Sequence, residues 1–439
     1  MKRTVAEPQD KLAIHGGPKA KTTPTIPMYP GGLEIGEAEK KQVLEVLDRK
    51  YLFRYYGPEN FPSKVRELEI RFASLTGAKY ALATSSCTGS LVCALIACGI
   101  GPGDEVIVPG YTFFASCAAI VNIGAVPVIA DTDDTLTLDV KDAEKRINSL
   151  TRAILIVHMR GAPCNMDMVT ALCKKHNLKL IEDVAQACGG TFEGRYLGTF
   201  GDAGCFSFQY HKIITAGEGG MLITNDPNIY DRAMGYHDTA ACWRPDRFAP
   251  ERYQGELFVG DNYRMSELTG GVMLAQMERL DGLLKRMRGH QKRIINGIED
   301  LSGITVRPSH DSQGDVGICI IFYLPSAGAV TAFLPALNAE GVAASGVFNK
   351  GIPDWHIYAH WQHVIQKKTA TPLGGPWIHP AYTMRGGKVE YSENQCPVML
   401  SYLERAIHLD IPAQMTDEDC DMIVVGITKV AMAMDQGII

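Results

Sequence analysis

The sequence predicts an α/β fold, with a large domain built on a mostly parallel β-sheet and a smaller α+β domain after it. Short apolar runs alternate with helical segments between Tyr80 and Thr224, which is typical of strands that helices cover on both faces. After Ile294, strands and helices recur with less parallel character. At 439 residues, the chain is also longer than one hydrophobic core usually supports, which favours two domains.

Short apolar runs predict the strands, and apolar residues at helical spacing predict the helices. Strands are expected over residues 80–84, 105–109, 127–130, 153–158, 178–182, 205–208 and 221–224. Helices are expected over residues 34–47, 65–77, 90–98, 114–123 and 166–176. One further, long helix is expected to follow Leu268 and to run through Gln276 and Leu284 into the basic stretch 285–293.

Composition divides the chain into three predicted parts. Residues 1–36 are rich in Pro and Gly and are expected to form an N-terminal arm. The alternating strands and helices predict a large domain over residues 37–290, and the remainder predicts a small C-terminal domain over residues 291–439. The basic stretch 285–293 is expected to be a solvated helix face that bridges the two domains.

Charge and composition exclude several classes of function. The formal net charge of -6 and the absence of a Lys/Arg stripe argue against nucleic acid as a partner. No apolar run reaches the length of a membrane span, and the N-terminus lacks the apolar core of a signal peptide, so we expect a cytoplasmic protein. The 12 cysteines form no Cys-x-x-Cys pair, which predicts reduced, buried thiols and neither disulfides nor a metal site.

Polar and aromatic residues follow the predicted strands, where parallel sheets bind their ligands. The turn that contains Thr88 and Gly89 comes after the first strand and begins a helix, so its free N–H groups could bind phosphate. Phe113 follows the second strand and could stack on a planar ring, and Asp183 follows the strand over 178–182. Taken singly, the turn could equally be a helix cap, the ring could be core packing, and the carboxylate could cap the next helix.

Lys212 stands between the strands over 205–208 and 221–224, five residues after Ser207 and shortly before a Gly217-Glu-Gly-Gly segment. Alone it would be a solvated loop charge. A desolvated lysine, however, is the residue that forms a Schiff base with an aldehyde. Pyridoxal 5'-phosphate needs four things together: a turn that binds its phosphate, a ring that stacks on it, a carboxylate beside its pyridine nitrogen, and a lysine. The carboxylate keeps the ring protonated, and the protonated ring acts as an electron sink. We therefore predict that Lys212 carries this cofactor in the large domain.

The motifs taken together resemble the DegT/StrS-type sugar aminotransferases, which are pyridoxal phosphate enzymes of the aspartate aminotransferase fold (fold type I). The resemblance runs from Leu12 to the end of the chain. It is carried by Thr88 in its turn, Pro-x-Tyr-Thr-Phe at 109–113, Glu-Asp-x-Ala-Gln at 182–186, Phe-Ser-Phe at 206–208, Lys212 with its glycines, Asn262-Tyr-Arg-Met-Ser-Glu-Leu, and Cys396-Pro.

The resemblance implies a role for each matching residue. Lys212 forms the Schiff base and then moves the proton between substrate and cofactor, and Asp183 binds the pyridinium nitrogen. Gln186 approaches the phenolic oxygen of the ring, and Phe113 stacks on the ring. The remaining cofactor contacts are to the phosphate, from Thr88, Gly89 and Ser207 of one subunit and from Asn262 of its neighbour. The resemblance thus also implies a homodimer with shared active sites.

Three departures from the family pattern stand out. Cys87 occupies a position that is usually Gly, Arg160 occupies one where many relatives carry an aromatic residue, and the segment 354–361 is long. We expect this segment and the loop at 239–258 to shape the substrate pocket. The stretches Leu52-Phe-Arg, His158-Met and Trp355-His resemble most closely the aminotransferases of the 8-amino-3,8-dideoxy-manno-octulosonate type.

The predicted function is transfer of an amino group from an amino acid, L-glutamate, to a keto or aldehyde sugar or sugar acid through a pyridoxamine phosphate form. Four arginines could hold a substrate carboxylate, or could be structural: Arg54, Arg160, Arg244 and Arg247. The alternatives are a cyclitol or other non-nucleotide ketone as acceptor, an aminobenzoate-forming reaction, a sugar dehydratase and a non-enzymatic sensor. Dehydratases of the family carry histidine at the lysine position, which Lys212 does not match. No motif encodes the acceptor or decides between glutamate and glutamine.

Overall fold

The structure, a computed structural model, describes residues 11–55, 62–240, 250–346, 353–371 and 374–439. Its N-terminal half forms nine strands, of which β6 and β7 make a small separate hairpin. The strands are β1 (Tyr80–Thr84), β2 (Glu105–Pro109), β3 (Val126–Ala130), β4 (Thr151–Val157), β5 (Lys179–Asp183), β6 (Thr191–Phe192), β7 (Arg195–Tyr196), β8 (Ala203–Ser207) and β9 (Gly220–Thr224).

The other seven strands form one sheet in the order β1-β9-β8-β5-β4-β2-β3. β3, β2, β4, β5 and β8 run parallel to one another. β9 is antiparallel to both of its neighbours, β1 and β8. The carboxyl ends of six strands therefore meet at one edge, and the loop from β8 to β9 returns to that same edge. The predicted mostly parallel sheet is confirmed.

Helices cover both faces of this sheet because its strands are apolar on both sides. Along β2, Val106 and Val108 pack into one core while Ile107 packs into the other. The helices are α1 (Glu37–Arg49), α2 (Lys64–Thr76), α3 (Cys87–Ala97), α4 (Ala115–Asn122), α5 (Val140–Arg146), α6 (Met166–His176), α7 (Pro227–His237), α8 (Glu267–Met277) and α9 (Leu280–Ile298). α3, α4 and α7 contribute to the first core, and α2, α6, α8 and α9 contribute to the second.

The prediction of one long helix after Leu268 is wrong, because the chain turns between α8 and α9. The Arg279 N–H donates to the carbonyl of Gln276, three residues back, at 3.0 Å, which tightens the backbone and ends α8. A buried polar contact holds this turn, since Glu39 accepts from the amide of Gln276 at 2.9 Å and from the guanidinium of Arg279 at 2.8 Å. These partners lie far apart in sequence, so local periodicity did not reveal the break.

The C-terminal part forms a second, antiparallel sheet in the order β10-β11-β13-β12. Its strands are β10 (Thr305–Val306), β11 (Cys319–Tyr323), β12 (Ser345–Gly346) and β13 (Ala406–Asp410). The helices of this part are α10 (Ala327–Ala339), α11 (Gln362–Ile365), α12 (Pro380–Thr383), α13 (Pro397–Glu404) and α14 (Asp417–Asp435). The predicted boundary at residue 290 lies inside α9, which packs against α14 and β11; the division into arm, large and small domain stays a prediction.

The described cysteines are free thiols, and all but Cys98 are buried; Cys242 lies outside the described residues. Burial raises the pKa of most of these thiols, including Cys98, Cys173, Cys188, Cys319 and Cys420 to about 12. Within the described ranges, no helix is long and apolar enough to cross a membrane.

Candidate active site

A cavity of about 700 Å³ opens at the carboxyl edge of the large sheet. The residues that follow β1, β2, β4, β5 and β8 line one side of it, and residues of the second sheet line the other, including Cys319 and Asp410. This is the place where a parallel sheet binds ligands, because its loops converge there. Of the predicted site residues, the structure brings six to this cavity: Thr88, Phe113, Asp183, Gln186, Ser207 and Lys212.

Lys212 lies in the loop that leaves β8 and returns as β9. Two hydrogen bonds close the base of the loop, from the Phe208 N–H to the Gly219 carbonyl and from the Thr215 hydroxyl to the Phe208 carbonyl, each at 2.9 Å. Gly217 has φ 83°, a left-handed conformation that glycine adopts without strain. The loop is therefore a fixed structure that carries the lysine over the sheet edge.

The surroundings of Lys212 favour its neutral amine. Burial lowers the pKa of Lys212 below its ordinary value, although the carboxylates of Asp183 and Glu218 oppose that change. A lysine ammonium has no lone pair, and only the neutral amine is a nucleophile or a base. The position of Lys212 thus suits covalent attachment to an aldehyde.

Asp183 ends β5 and is buried at the floor of the cavity. The Ser116 hydroxyl donates to its Oδ2 at 2.7 Å, and the Ala185 N–H donates to its Oδ1 at 3.0 Å. Burial raises the pKa of Asp183, while these two donors favour the carboxylate. A buried carboxylate is stabilised by a cation placed beside it, and a protonated ring nitrogen would be such a cation.

The turn before α3 offers donors for an anion. The Ser86 side chain caps the helix by accepting the Gly89 N–H at 3.1 Å, which leaves the N–H groups of Cys87 and Thr88 in the first turn without an intrahelical acceptor. The helix begins at Cys87, three residues before its predicted start at residue 90, because this cap lies upstream of the apolar run. The Thr88 side chain and Ser207 face the same cavity.

Two glycines let the chain pack tightly beside this turn. A Cβ on Gly89 would lie 2.8 Å from Cδ1 of Tyr263, so Gly89 makes room for that ring and is not itself among the lining residues. A Cβ on Gly220 would lie 2.4 Å from the carbonyl carbon of Ser86. The start of β9 is thereby pressed against the backbone of the turn.

Phe113 and Gln186 stand at the cavity wall. The Phe113 ring is 49% exposed, and its centroid lies 5.3 Å from that of His356. The Gln186 Oε1 accepts the Arg160 N–H at 3.0 Å, so the amide nitrogen of Gln186 stays available to donate to a ligand oxygen.

Asn262 and the candidate arginines lie in different places relative to the cavity. Asn262 is exposed and does not belong to the described lining residues. Arg54 is buried in an ion pair with Glu69 at 2.6 Å, away from the cavity, whereas Arg160 lines it. Arg244, Arg247 and the rest of residues 241–249 in the loop at 239–258 lie outside the described residues.

The structure adds lining residues that the sequence did not single out as ligands. Glu218 lies in the lysine loop, and Asp410 ends β13 of the second sheet. His356 belongs to the segment 354–361 that was expected to shape the pocket, and its Nδ1 lies 2.7 Å from Oδ1 of Asp354. The unusual length of the segment 354–361 was a signal for His356, but nothing local to Asp410 indicated that β13 would end at this cavity.

These features fit pyridoxal phosphate. Free helix N–H groups and two hydroxyls can hold a phosphate, an aromatic ring stands at the wall, and a buried carboxylate and a desolvated lysine face one space. The volume of about 700 Å³ lies within the ordinary range of ligand sites. The same cavity can therefore take a cofactor together with a small substrate.

Comparison with protein families and curated sequences gives concordant matches. The sequence model of the DegT/DnrJ/EryC1/StrS aminotransferase family matches residues 33–373. GDP-perosamine synthase of Escherichia coli O157:H7 is 39% identical over 60% of this chain and 68% of its own length. Spore coat polysaccharide biosynthesis protein SpsC of Bacillus subtilis is 31% identical over 91% of this chain and 96% of its own. L-glutamine:2-deoxy-scyllo-inosose aminotransferase of Streptomyces kanamyceticus is 38% identical over 65% and 68%.

Solved structures share the whole architecture. DesI, solved with its TDP-sugar product, superimposes with a TM-score of 0.73 at 26% identity, covering 97% of this chain and 98% of its own. An aminotransferase from Psychrobacter cryohalolentis gives a TM-score of 0.71 at 26% identity, covering 92% and 98%. 3-Amino-5-hydroxybenzoic acid synthase gives 0.76 at 24% identity, covering 93% and 99%, and supports the fold. The predicted fold class is confirmed.

Proposed function

Because this chain belongs to the DegT/DnrJ/EryC1/StrS aminotransferase family, and is accordingly a pyridoxal phosphate-dependent sugar aminotransferase, we propose how its own residues carry out the transfer. The amino group moves from an amino acid donor, L-glutamate, to the carbonyl of a sugar or sugar acid. The observation that carries the proposal is the presence of Lys212, with its lowered pKa, and buried Asp183 in one cavity.

Lys212 is the residue that holds and moves the proton. When bound, pyridoxal phosphate supplies an aldehyde that takes up the amino group and a ring that withdraws electrons from the reacting carbon. The Nζ of Lys212 would be the attachment point of the aldehyde. In its neutral form, Nζ would act as the base for the proton on Cα of the donor and as the acid that returns a proton to the acceptor carbon.

The other predicted residues hold and orient the cofactor. Asp183 would keep the ring nitrogen protonated, and Gln186 would donate its amide to the phenolic oxygen. Phe113 would stack on the ring. The N–H groups of the α3 turn, with the Thr88 and Ser207 hydroxyls, bind the phosphate, and Gly89 allows the turn to take this shape.

We also propose a homodimer in which Asn262 reaches the phosphate site of the neighbouring subunit. Asn262 and Phe113 are both exposed in the single chain. Several large apolar side chains near α1 are exposed as well, which is typical of a surface that another protein covers. These side chains are Leu33, Ile35, Leu44, Leu47 and Leu52. The cytoplasmic location stays a prediction.

The acceptor and the donor each have an alternative. Relatives named for inosose amination support a cyclitol as the alternative acceptor, and the same names carry L-glutamine as the alternative donor. The closer likeness to octulosonate aminotransferases stays a prediction from sequence. Lys212 occupies the position at which dehydratases of the family have histidine, so dehydration is the less favoured reaction.

The test separates the two halves of the reaction. Holoenzyme is mixed with L-glutamate or L-glutamine without acceptor, and the loss of cofactor absorbance is recorded; keto sugars, sugar acids and cyclitols are then screened for its return. We expect both halves to proceed, with the amine found in the product by mass spectrometry. Lys212→Ala should abolish both halves and Lys212→Arg should not restore them. Amino transfer by Lys212→Ala at the rate of the unaltered enzyme would refute the role of Lys212.

A further inference from the structure

Arg160 is fixed in the wall of the cavity at the end of β4. Its backbone has φ 55°, an uncommon conformation for a residue with a side chain. Three contacts hold it there: its N–H donates to Gln186 Oε1 at 3.0 Å, and its carbonyl accepts from the Cys319 thiol at 3.4 Å and from Arg307 at 3.5 Å. The side chain lines the cavity.

Within the described residues, no carboxylate forms an ion pair with the Arg160 guanidinium, although Asp410 and Asp354 lie close enough to interact with its charge. Two other arginines with largely buried side chains do form an ion pair: Arg54 pairs with Glu69 at 2.6 Å and Arg307 pairs with Asp315 at 3.7 Å. The Arg160 side chain contacts the Tyr111 hydroxyl, and its buried Nε has no hydrogen-bond partner in the described structure.

A buried cation is costly when its lost hydration is not replaced by hydrogen bonds. Asp410 and Asp354 act on Arg160 without an ion pair, and its Nε has no acceptor within the described residues. Guanidinium cannot escape by losing its proton, since its pKa lies far above neutrality. The planar guanidinium group matches a carboxylate through two parallel hydrogen bonds. The carboxylate that would bond directly to the Arg160 guanidinium is therefore expected to arrive with a ligand.

The phosphate of the cofactor is not that anion. Arg160 follows β4, whereas the phosphate turn follows β1, and β9, β8 and β5 lie between these two strands. Four inter-strand steps correspond to roughly 19 Å. Arg160 instead lies beside Gln186 and close to His356, on the side of the cavity that the second sheet covers.

We propose that Arg160 is the carboxylate-binding residue of the substrate site, and that it pairs bidentately with a carboxylate of the bound substrate. The inference rests on the proposed amino transfer. The carboxylate belongs either to the amino acid donor or to an acceptor that is a sugar acid, and the two half-reactions distinguish these sources. A neutral nucleotide-free sugar or cyclitol would offer Arg160 no partner.

The experiment compares holoenzyme carrying Arg160→Gln, Arg160→Lys or the control Arg293→Gln, whose arginine pairs with Asp421 on the surface of α14. Glutarate, which has carboxylates but no amine, is titrated by calorimetry. Each half-reaction is then followed against concentration, with L-glutamate as donor and with sugar acids and their neutral alcohols as acceptors. Retained cofactor absorbance shows that each variant still binds pyridoxal phosphate.

We expect Arg160→Gln to weaken glutarate binding by about ten- to a hundredfold, because a charge-assisted pair is lost. Arg160→Lys should recover part of it, and Arg293→Gln should match the unaltered enzyme. If Arg160→Gln raises the KM for glutamate, the carboxylate belongs to the donor. If Arg160→Gln no longer prefers a sugar acid to the corresponding neutral alcohol, the carboxylate belongs to the acceptor. If Arg160→Gln does not fold, weaker glutarate binding by Arg160→Lys decides the question instead.

The result that overturns the inference is unchanged glutarate binding and unchanged KM values in Arg160→Gln. Failure of the proposed function looks different. There, the unaltered enzyme transfers no amino group from any donor, yet glutarate still binds in an Arg160-dependent way.

Discussion

At the scale of single residues, the burial of two ionisable side chains explains the chemistry of the cavity. Lys212 is buried enough to lower its pKa, and Asp183 is buried enough to raise its own. Hydrogen bonds hold both residues in place: Asp183 accepts from the Ala185 N–H and from the Ser116 hydroxyl of α4, and the Lys212 N–H donates to the Gln209 carbonyl in its own loop. A carbonyl-bearing cofactor with a basic ring nitrogen would satisfy both residues at once.

Asp183→Asn should lower turnover by about a hundredfold or more, since a fixed charge beside the reacting ring is removed. Its fold should survive, because asparagine can accept the Ala185 N–H and donate to Ser116. Turnover is measured beside chemical denaturation.

Asp131→Asn is the matched control, because this buried carboxylate follows β3 and accepts the N–H groups of Val398 and Met399 at 3.0 and 2.9 Å. An amide cannot accept both, so stability should fall by about 1–3 kcal/mol while turnover per folded molecule stays the same. Near-normal turnover of Asp183→Asn would rule out its role at the ring nitrogen.

His237 should make stability depend on pH. Burial and the charge of Arg54 lower its pKa from 6.5 to about 3, and the neutral ring accepts from Tyr55 and donates to Met234. Between those two values the unfolded chain binds a proton that the folded chain does not, so the free energy of unfolding falls as pH drops below 6.5.

The measurement is urea unfolding between pH 7 and about pH 5, above the range in which most carboxylates titrate. The unaltered protein should lose up to about 1.4 kcal/mol per pH unit more than His237→Gln. If the free energy of unfolding depends on pH in the same way for the unaltered protein and for His237→Gln, His237 is not held neutral in the folded state.

At the scale of elements, the sequence predicted what is set by local pattern. The predicted strand over 105–109 and the helix over 166–176 match β2 and α6 to the residue. What it missed depends on distant partners: Glu39 fixes the break between α8 and α9, and the pairing of β13 with β11 brings Asp410 to the cavity. Asp183 and Lys212 were predictable because parallel strands bring their ends together whatever the rest of the chain does.

Gly220→Ala should loosen the phosphate turn. The added Cβ would meet the Ser86 carbonyl carbon at 2.4 Å and the Cys87 nitrogen at 2.7 Å, and backbone atoms cannot rotate away. We expect faster release of pyridoxal phosphate on dialysis and a stability loss of about 1–3 kcal/mol.

Gly289→Ala is the control, because Gly289 lies on an exposed face of α9 with nothing within 4 Å of the added Cβ. Alanine there should raise stability by about 0.5–1 kcal/mol and leave cofactor release unchanged. If Gly220→Ala retains the cofactor as firmly as Gly289→Ala does, the turn does not bind the phosphate.

At the scale of the whole molecule, two sheets of different kinds enclose one cavity. The parallel sheet contributes the residues proposed to hold the cofactor, and the antiparallel sheet contributes Cys319 and Asp410 on the other side. Phe113 and Asn262 are exposed in the single chain, which agrees with the homodimer proposed above.

Subunit mixing tests that proposal. Lys212→Ala lacks the attachment point, and Asn262→Ala should hold the cofactor weakly. Denaturing and refolding the two together should recover activity, because a mixed dimer contains one site with Lys212 from one chain and Asn262 from the other. Refolding each variant alone is the control. No recovery, with dimers shown by sedimentation, would mean that the sites are not shared.

The central claim is that the amine of Lys212 holds the cofactor, and chemical trapping tests it most directly. Purified holoenzyme is reduced with borohydride, digested, and its peptides are mapped by mass spectrometry. The account predicts that the cofactor mass appears on the peptide that contains Lys212 and is absent from the Lys212→Ala variant. Label on a different lysine, or full activity in protein that carries no label on Lys212 after complete reduction, would contradict it.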